Sequence, residues 1–264
     1  MSEARYSGYE TLAFSRAGAV LTVSINRPHA FNAVNARLHT ELARVFAAIA
    51  QDAGVDSVVL TGEGKAFSAG GDIEWFRHIT PAQLDLLFAE ARKIILDLVE
   101  LPQPVVAAIN GVAAGLGATL ALFCDVIYAA DDAKISDPHV RIGVTAGDGG
   151  AAIWPLLVGL SRAKEYLMTG DSLSATEAER IGLINHVVAA DQLLPAAQAM
   201  AQRLATGSRM AVRSTKMSLN KHLRDAVERV LDISLALEKE CFSDAFHKEA
   251  IEAFARRQTG SKHG

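Results

Sequence analysis

Cysteine is scarce: Cys124 and Cys241 are the only two in 264 residues. Each sits in an apolar or helical context with no CxxC pair, which excludes a disulfide framework and a cysteine-built metal centre; two reduced packing thiols of a cytoplasmic protein are expected. A basic excess is lacking too, and a formal net charge of −4 argues against nucleic acid as the main partner. The stretch Met1-Ser2-Glu3-Ala4-Arg5-Tyr6 has neither the basic start nor the apolar centre of an export signal. No unbroken apolar run of membrane length occurs. Residues 105–130 come nearest, but Asn110, Gly111, Gly115, Gly117 and Asp125 interrupt them, so no membrane partner is expected. What remains, half apolar and 21% charged, is the composition of a soluble globular chain long enough to bury a large core.

The pattern along the chain alternates. Residues 20–25 are β-branched and strand-like, closed by Arg27-Pro28. A helix is predicted over 35–49, with Leu38, Leu42, Val45, Phe46 and Ile49 at helical spacing, followed by a buried strand at 58–60. Thr80-Pro81-Ala82-Gln83 reads as N-cap, N1 proline and capping-box glutamine; the helix it opens carries Leu84, Leu87, Phe88, Ala91, Ile94, Ile95 and Leu98 on one face until Pro102 and Pro104 stop it. Short strands follow at 126–129 and 134–136. Ser174-Ala175-Thr176-Glu177 reads as a second capping box, opening a short helix that Gly182 ends. After Asp191 the strand signals fade, and helices are predicted over 193–204, 210–219, 223–240 and 247–257. The expected organisation is an α/β core over 1–190 that carries the active site and a helical region over 191–264.

Two glycine-rich turns carry the chemistry. Asn110-Gly111-Val112-Ala113-Ala114-Gly115-Leu116-Gly117-Ala118-Thr119 follows the apolar run 105–109, and Phe67-Ser68-Ala69-Gly70-Gly71-Asp72 follows the strand-like 57–60. A strand that breaks into such a turn before a helix presents free backbone N–H groups, where the helix dipole also favours negative charge. Two such turns that converge could hold one anion or oxyanion.

Asn26-Arg27-Pro28 with Phe31-Asn32-Ala33, then residues 66–72, Pro104 through Gly111, Cys124-Asp125, Leu167-Met168-Thr169-Gly170, Gly182-Leu183-Ile184 and Ala253-Phe254 with Arg257 together resemble the crotonase family, the enoyl-CoA hydratase/isomerase superfamily. The resemblance spans nearly the whole chain. It implies an α/β fold, a spiral of ββα turns with a C-terminal helical trimerisation region, assembled as a homotrimer or hexamer. It also implies an acyl-CoA thioester substrate whose carbonyl is polarised by two backbone N–H groups, here those of Gly71 and Leu116, so that an enolate is stabilised. Coenzyme A would enter as part of the substrate, with no other cofactor and no metal.

The family's hydratases use two glutamates, and position by position these fall on Thr119 and His139. Thr119 is then a packing or substrate-positioning residue, because a hydroxyl is a poor base near neutral pH. His139, held behind Pro138, titrates close to neutrality and could act with Asp148 in proton transfer or water activation. A structural histidine and an N-capping Asp148 ahead of the next helix are the alternatives. By resemblance Trp154 is a second positioning residue, and Arg27, His29, Ala69, Asp72, Phe254 and Arg257 fall where relatives contact CoA. Solvated surface charge is the alternative for the basic residues, and helix capping for Asp72. Residues 136–139 with Gly147-Asp148-Gly149 and Trp154-Pro155 also resemble the CoA-independent β-diketone hydrolase branch, whose additional histidine near Gly115 is missing here. A non-catalytic acyl-CoA-binding protein is the third reading.

Overall fold

The computed structural model describes residues 3–260, and side chains from 5 to 256. Its chain runs α1 (Glu3–Tyr6), β1 (Leu12–Ala17), β2 (Val20–Ile25), α2 (Ala36–Ala50), β3 (Ser57–Gly62), β4 (Ala66–Ser68), α3 (Ile73–Arg77), α4 (Pro81–Glu100), β5 (Val105–Ile109), β6 (Val112–Ala114), α5 (Leu116–Leu122), β7 (Val126–Ala130) and β8 (Lys134–Ser136). It continues through α6 (Gly150–Thr169), β9 (Leu173–Ser174), α7 (Ala175–Arg180), β10 (His186–Val188), α8 (Leu193–Thr206), α9 (Arg209–Cys241) and α10 (Ala245–Gly260).

Two sheets stand side by side, in the orders β1-β2-β3-β5-β7-β10 and β4-β6-β8-β9. Successive strand pairs β3/β4, β5/β6 and β7/β8 each place their first strand in the larger sheet and their second in the smaller, and a helix follows each pair. That is a spiral of ββα turns. The strands β2, β3, β5 and β7 pair in parallel, while β1 and β9 pair antiparallel at the edges. Every residue of β2, β3 and β5 is buried, the pattern of parallel strands covered on both faces. The stripe Leu38, Leu42, Val45, Phe46 and Ile49 of α2 and the stripe Leu87, Phe88, Ala91, Ile94, Ile95 and Leu98 of α4 are buried in the same core. Among the described residues no helix is long and apolar enough to cross a membrane.

The reciprocal Thr80/Gln83 box opens α4 as its sequence predicts, and Asn35, expected as the first residue of its helix, caps α2 by accepting from the Leu38 N–H. Other details differ. The edge strand β1 and the short β6 gave no separate sequence signal. At Ser174 only half of the expected box forms: the serine accepts from the Glu177 N–H, but the Glu177 carboxylate turns to Arg180. The helices predicted at 210–219 and 223–240 are one, because residues 220–222, Asn-Lys-His, tolerate helix and Asn220 donates to the Val99 carbonyl at 2.8 Å instead of breaking the turn. The helix α8 lies on β3, β5 and β7, and α9 packs across α4 and α6, which carries part of α9 to the ends of the ββα turns.

Candidate active site

The first turn is built from Asn32. Asn32 is fully buried in the left-handed region at φ 57°. Its side-chain oxygen accepts from the Arg27 N–H at 2.8 Å, and its amide donates to the carbonyls of Glu63 and Ala66 at 2.9 and 2.7 Å. The following segment lies alongside the glycines: the Val34 N–H donates to Gly70 O at 2.7 Å and the Asp72 N–H to Val34 O at 2.9 Å. Gly70 takes φ 86°, a conformation that suits glycine. Asp72 then caps α3 by accepting from the Glu74 N–H at 3.1 Å.

The second turn begins where the Gly115 N–H donates to Ser136 O at 3.1 Å. Gly115 has φ 52° and ψ −127°, and Leu116 is the first residue of α5. The two turns abut: a Cβ on Gly70 would sit 2.9 Å from Ala114 O and 3.7 Å from Gly115 N. Among the described residues neither the Gly71 nor the Leu116 N–H donates to a protein acceptor. Both are therefore available to an external oxygen.

His139 stands beside this junction. A Cβ on Gly115 would lie 3.4 and 3.5 Å from the imidazole Cε1 and Nε2. The imidazole is clamped: Nδ1 bonds Asp137 Oδ1, and Nε2 is 3.4 Å from Asp148 Oδ2 and 4.0 Å from Glu238 Oε1. The Thr119 hydroxyl, one turn into α5, donates to Asp148 Oδ1 at 3.0 Å. Burial pushes the imidazole pKa down, but the carboxylates of Asp137 and Asp148 outweigh burial and hold it well above the ordinary histidine value. The two carboxylates therefore favour the protonated ring, the form that can act as an acid. Burial also pushes Glu238 well above the ordinary carboxyl range, against the opposing pull of His139 and with further upward pressure from Asp148 and Asp137.

The sequence-derived residues divide accordingly. Gly71, Leu116, Thr119, His139 and Asp148 are brought together. Asp148 does not cap α6: that position falls to Gly149, which makes no side-chain cap. Thr119 is completely buried and faces Asp148, so it orients a carboxylate. Trp154, expected to position substrate, has no exposed surface and packs with its ring 6.0 Å from that of Tyr166. Arg27 and Asp72, both expected at CoA, pair with each other at 3.1 Å, and Arg27 also donates to Ala33 O. His29 and Ala69 are exposed near the first turn, and Phe254 is exposed on α10. The side chain of Arg257 lies outside the described residues.

Asp137 and Glu238 are the members that sequence reasoning missed. Asp137 had a signal, an acid two residues before the histidine across a proline. Glu238 had a fainter one, a charge continuing the helical stripe Val227, Leu231, Ser234, Leu235, all of it buried. Asp137, His139 and Asp148 also bring ligand atoms within 4.8 Å of one another, a donor set that could take a divalent cation. The two ring nitrogens of His139 face these same carboxylates, Nδ1 toward Asp137 and Nε2 toward Asp148.

The model of the enoyl-CoA hydratase/isomerase family matches residues 15–261. This chain belongs to that family. Among curated relatives, it is 34% identical to a crotonyl-CoA hydratase of Syntrophomonas wolfei over 95% of this chain and 96% of the relative. It is likewise 34% identical to a short-chain-enoyl-CoA hydratase of Clostridium acetobutylicum, over 91% of this chain and 93% of the relative. Among solved structures, an enoyl-CoA hydratase/isomerase from Mycobacterium paratuberculosis superposes with a TM-score of 0.90 at 37% identity, covering 93% of this chain and 99% of that one. The spiral of ββα turns is thus the fold of this enoyl-CoA hydratase/isomerase family member, and an enzyme of that kind is the activity its relatives support.

Proposed function

We propose that this protein hydrates 2-enoyl-CoA thioesters through an oxyanion-stabilised enolate, with His139 and Asp148 making the two proton transfers assigned elsewhere in the family to glutamates. The observation that carries this reading is the abutment of two turns with unengaged N–H groups beside the His139–Asp148 pair. The thioester oxygen would sit between the Gly71 and Leu116 N–H groups, which are fixed in place before charge develops and so favour the enolate over the ground state. Water adds to C3 and loses a proton to Asp148, oriented by Thr119. The enolate takes a proton at C2 from Nε2 of the imidazolium. One water has then been added, leaving Asp148 protonated and His139 neutral; the 3.4 Å contact between them lets the proton return.

Coenzyme A enters as part of the substrate. His29, Ala69, Phe254 and Arg257 are retained as its proposed contacts; the Arg27–Asp72 pair orders the first turn. Exposed Met217, Leu219, Ile233 and Leu237 of α9 and Phe246 of α10 support assembly as a homotrimer or hexamer, and two free cysteines suit a cytoplasmic protein. The test follows loss of the conjugated enoyl thioester with crotonyl-CoA. Hydration that falls in both His139→Ala and Asp148→Ala is expected. Binding of crotonyl-CoA with no turnover, or cleavage of a cyclic β-diketone in place of hydration, overturns the proposal.

A further inference from the structure

A thioester held between the Gly71 and Leu116 N–H groups has one end that leaves the protein and one that enters it. His29 and Ala69, on the outer side of the first turn, are exposed, so the CoA end leaves there and the acyl end continues inward past His139. An aromatic wall stands in that direction. Helical side chains lean toward the N-terminus of their helix. Phe76 of α3, whose N–H donates to Asp72 O at 3.1 Å, accordingly lies back over the first turn, and a Cβ on Gly71 would collide with its Cε2 and Cζ. Phe242, which caps the end of α9, meets Phe76 with ring centroids 5.6 Å apart and Phe88 of α4 at 5.8 Å, both edge to face at 88°. It follows Glu238 by one turn on the same face of α9, and Glu238 Oε1 is 4.0 Å from Nε2 of His139. Glu238, Phe242 and Phe76 therefore bound the space between the imidazole and the first donor.

The wall is held from behind. Phe88 and Phe242 are buried, and the ring of His247 on α10 stands 4.6 Å from that of Phe242. His247 in turn donates from Nδ1 to Ile142 O at 2.7 Å, in the segment His139–Ile142 that carries the imidazole. At its other end α10 pairs Glu252 with Arg77 of α3 at 3.0 Å. Swinging the rings aside would mean lifting α10 from both halves of the site. We infer that Phe76 and Phe242 set the length of acyl chain this protein takes, confining it to short-chain 2-enoyl thioesters. The inference rests on the hydratase reading for the position of the carbonyl, and on the rings alone for the limit. The reacting carbons lie between the donors and the imidazole; carbons farther along meet close-packed rings that admit an added methylene only by being displaced. In an open apolar pocket each added methylene would instead gain about fourfold in binding. The two cases give opposite trends with chain length.

The experiment has two arms on the full-length protein. The kinetic arm measures kcat/KM for crotonyl-CoA and oct-2-enoyl-CoA and takes the ratio of long to short within each variant, so that any loss of folded protein cancels. In wild type the ratio should be about one-tenth or lower, the discrimination of a pocket that cannot take the added carbons. Phe76→Ala, which clears the ring beside Gly71, should raise the ratio about tenfold or more as several methylenes gain apolar room, with the change falling mainly on KM. Phe242→Leu should raise it less, and serves if Phe76→Ala folds poorly. Phe14→Leu, which removes a ring stacked on Tyr6 in the N-terminal part of the chain, should leave the ratio unchanged. The binding arm titrates the same proteins with butanoyl-CoA and octanoyl-CoA, which are saturated and cannot be hydrated. A wild-type ratio near or above one, or a ratio that neither Phe76→Ala nor Phe242→Leu moves, overturns the inference. Hydration of both substrates equally well overturns the length limit and leaves the hydratase reading standing. A preference for butanoyl-CoA that Phe76→Ala relaxes, in a protein that leaves every enoyl thioester untouched, supports the length limit and overturns the hydratase reading instead. Binding of neither saturated thioester, with no turnover, overturns both.

Discussion

Leu116→Pro deletes a single N–H from the junction of the two turns. Leu116 is the first residue of α5, so its N–H has no acceptor one turn back, and proline there already has the φ the helix requires. No helical hydrogen bond is lost. Leu116 is 7% exposed, so trimming it costs packing; Leu116→Ala, which keeps the N–H and loses about 2–5 kcal/mol of stability, measures that cost separately. Catalysis should respond differently. With one of two preorganised donors gone, kcat should fall by about 10²–10³, equivalent to about 3–4 kcal/mol of transition-state stabilisation. The assay is initial-rate hydration of crotonyl-CoA at a temperature where circular dichroism finds both variants folded. Leu116→Pro retaining more than about a tenth of wild-type kcat would refute the oxyanion assignment, given the usual size of one donor. So would an equal loss in Leu116→Ala.

Asp148→Asn keeps a partner for the Thr119 hydroxyl but removes the base, so kcat should drop about 10²–10⁴-fold with KM nearly constant; a steady-state comparison showing mainly a KM effect would reassign Asp148 to binding. Asn32→Ala removes three side-chain hydrogen bonds and places alanine in a left-handed conformation, a loss of about 4 kcal/mol from about 1 per bond and about 1 for the backbone. Urea unfolding of Asn32→Ala beside Asn32→Gly reads both parts, and a total below about 1 kcal/mol counts against the role of Asn32, since one net hydrogen bond alone is worth that much. His139 is raised above its unfolded value near 6.5, so its stabilising effect is complete below that pH and disappears as pH climbs through the folded value. Glu238, raised from 4.5, acts in the same sense from lower pH. Thermal midpoints should therefore decline on the alkaline side, less steeply in His139→Gln; a wild-type midpoint that climbs there contradicts the charge assignment.

Much of this protein was determined by local sequence. Spacing of apolar residues and caps such as Asn35 and Thr80/Gln83 set α2 and α4, because one face of a helix must be buried and its first N–H groups need acceptors. Glycines 70 and 115 marked the two turns, because their backbone conformations exclude most side chains. Asp148 and His139 were legible as residue types at suggestive positions. Tertiary structure alone decided what each of them faces. Arg27 and Asp72 read as ligand contacts until the fold joined them across 45 residues. Trp154 read as a substrate contact until α6 turned it inward. The joining of two predicted helices into α9 brought Glu238 to the imidazole, and no short-range pattern encodes a contact 99 residues apart. The titration of His139 followed from that assembly: Asp137 and Asp148 close around a ring that titrates near neutrality on its own and push its pKa upward, against the opposing effect of burial.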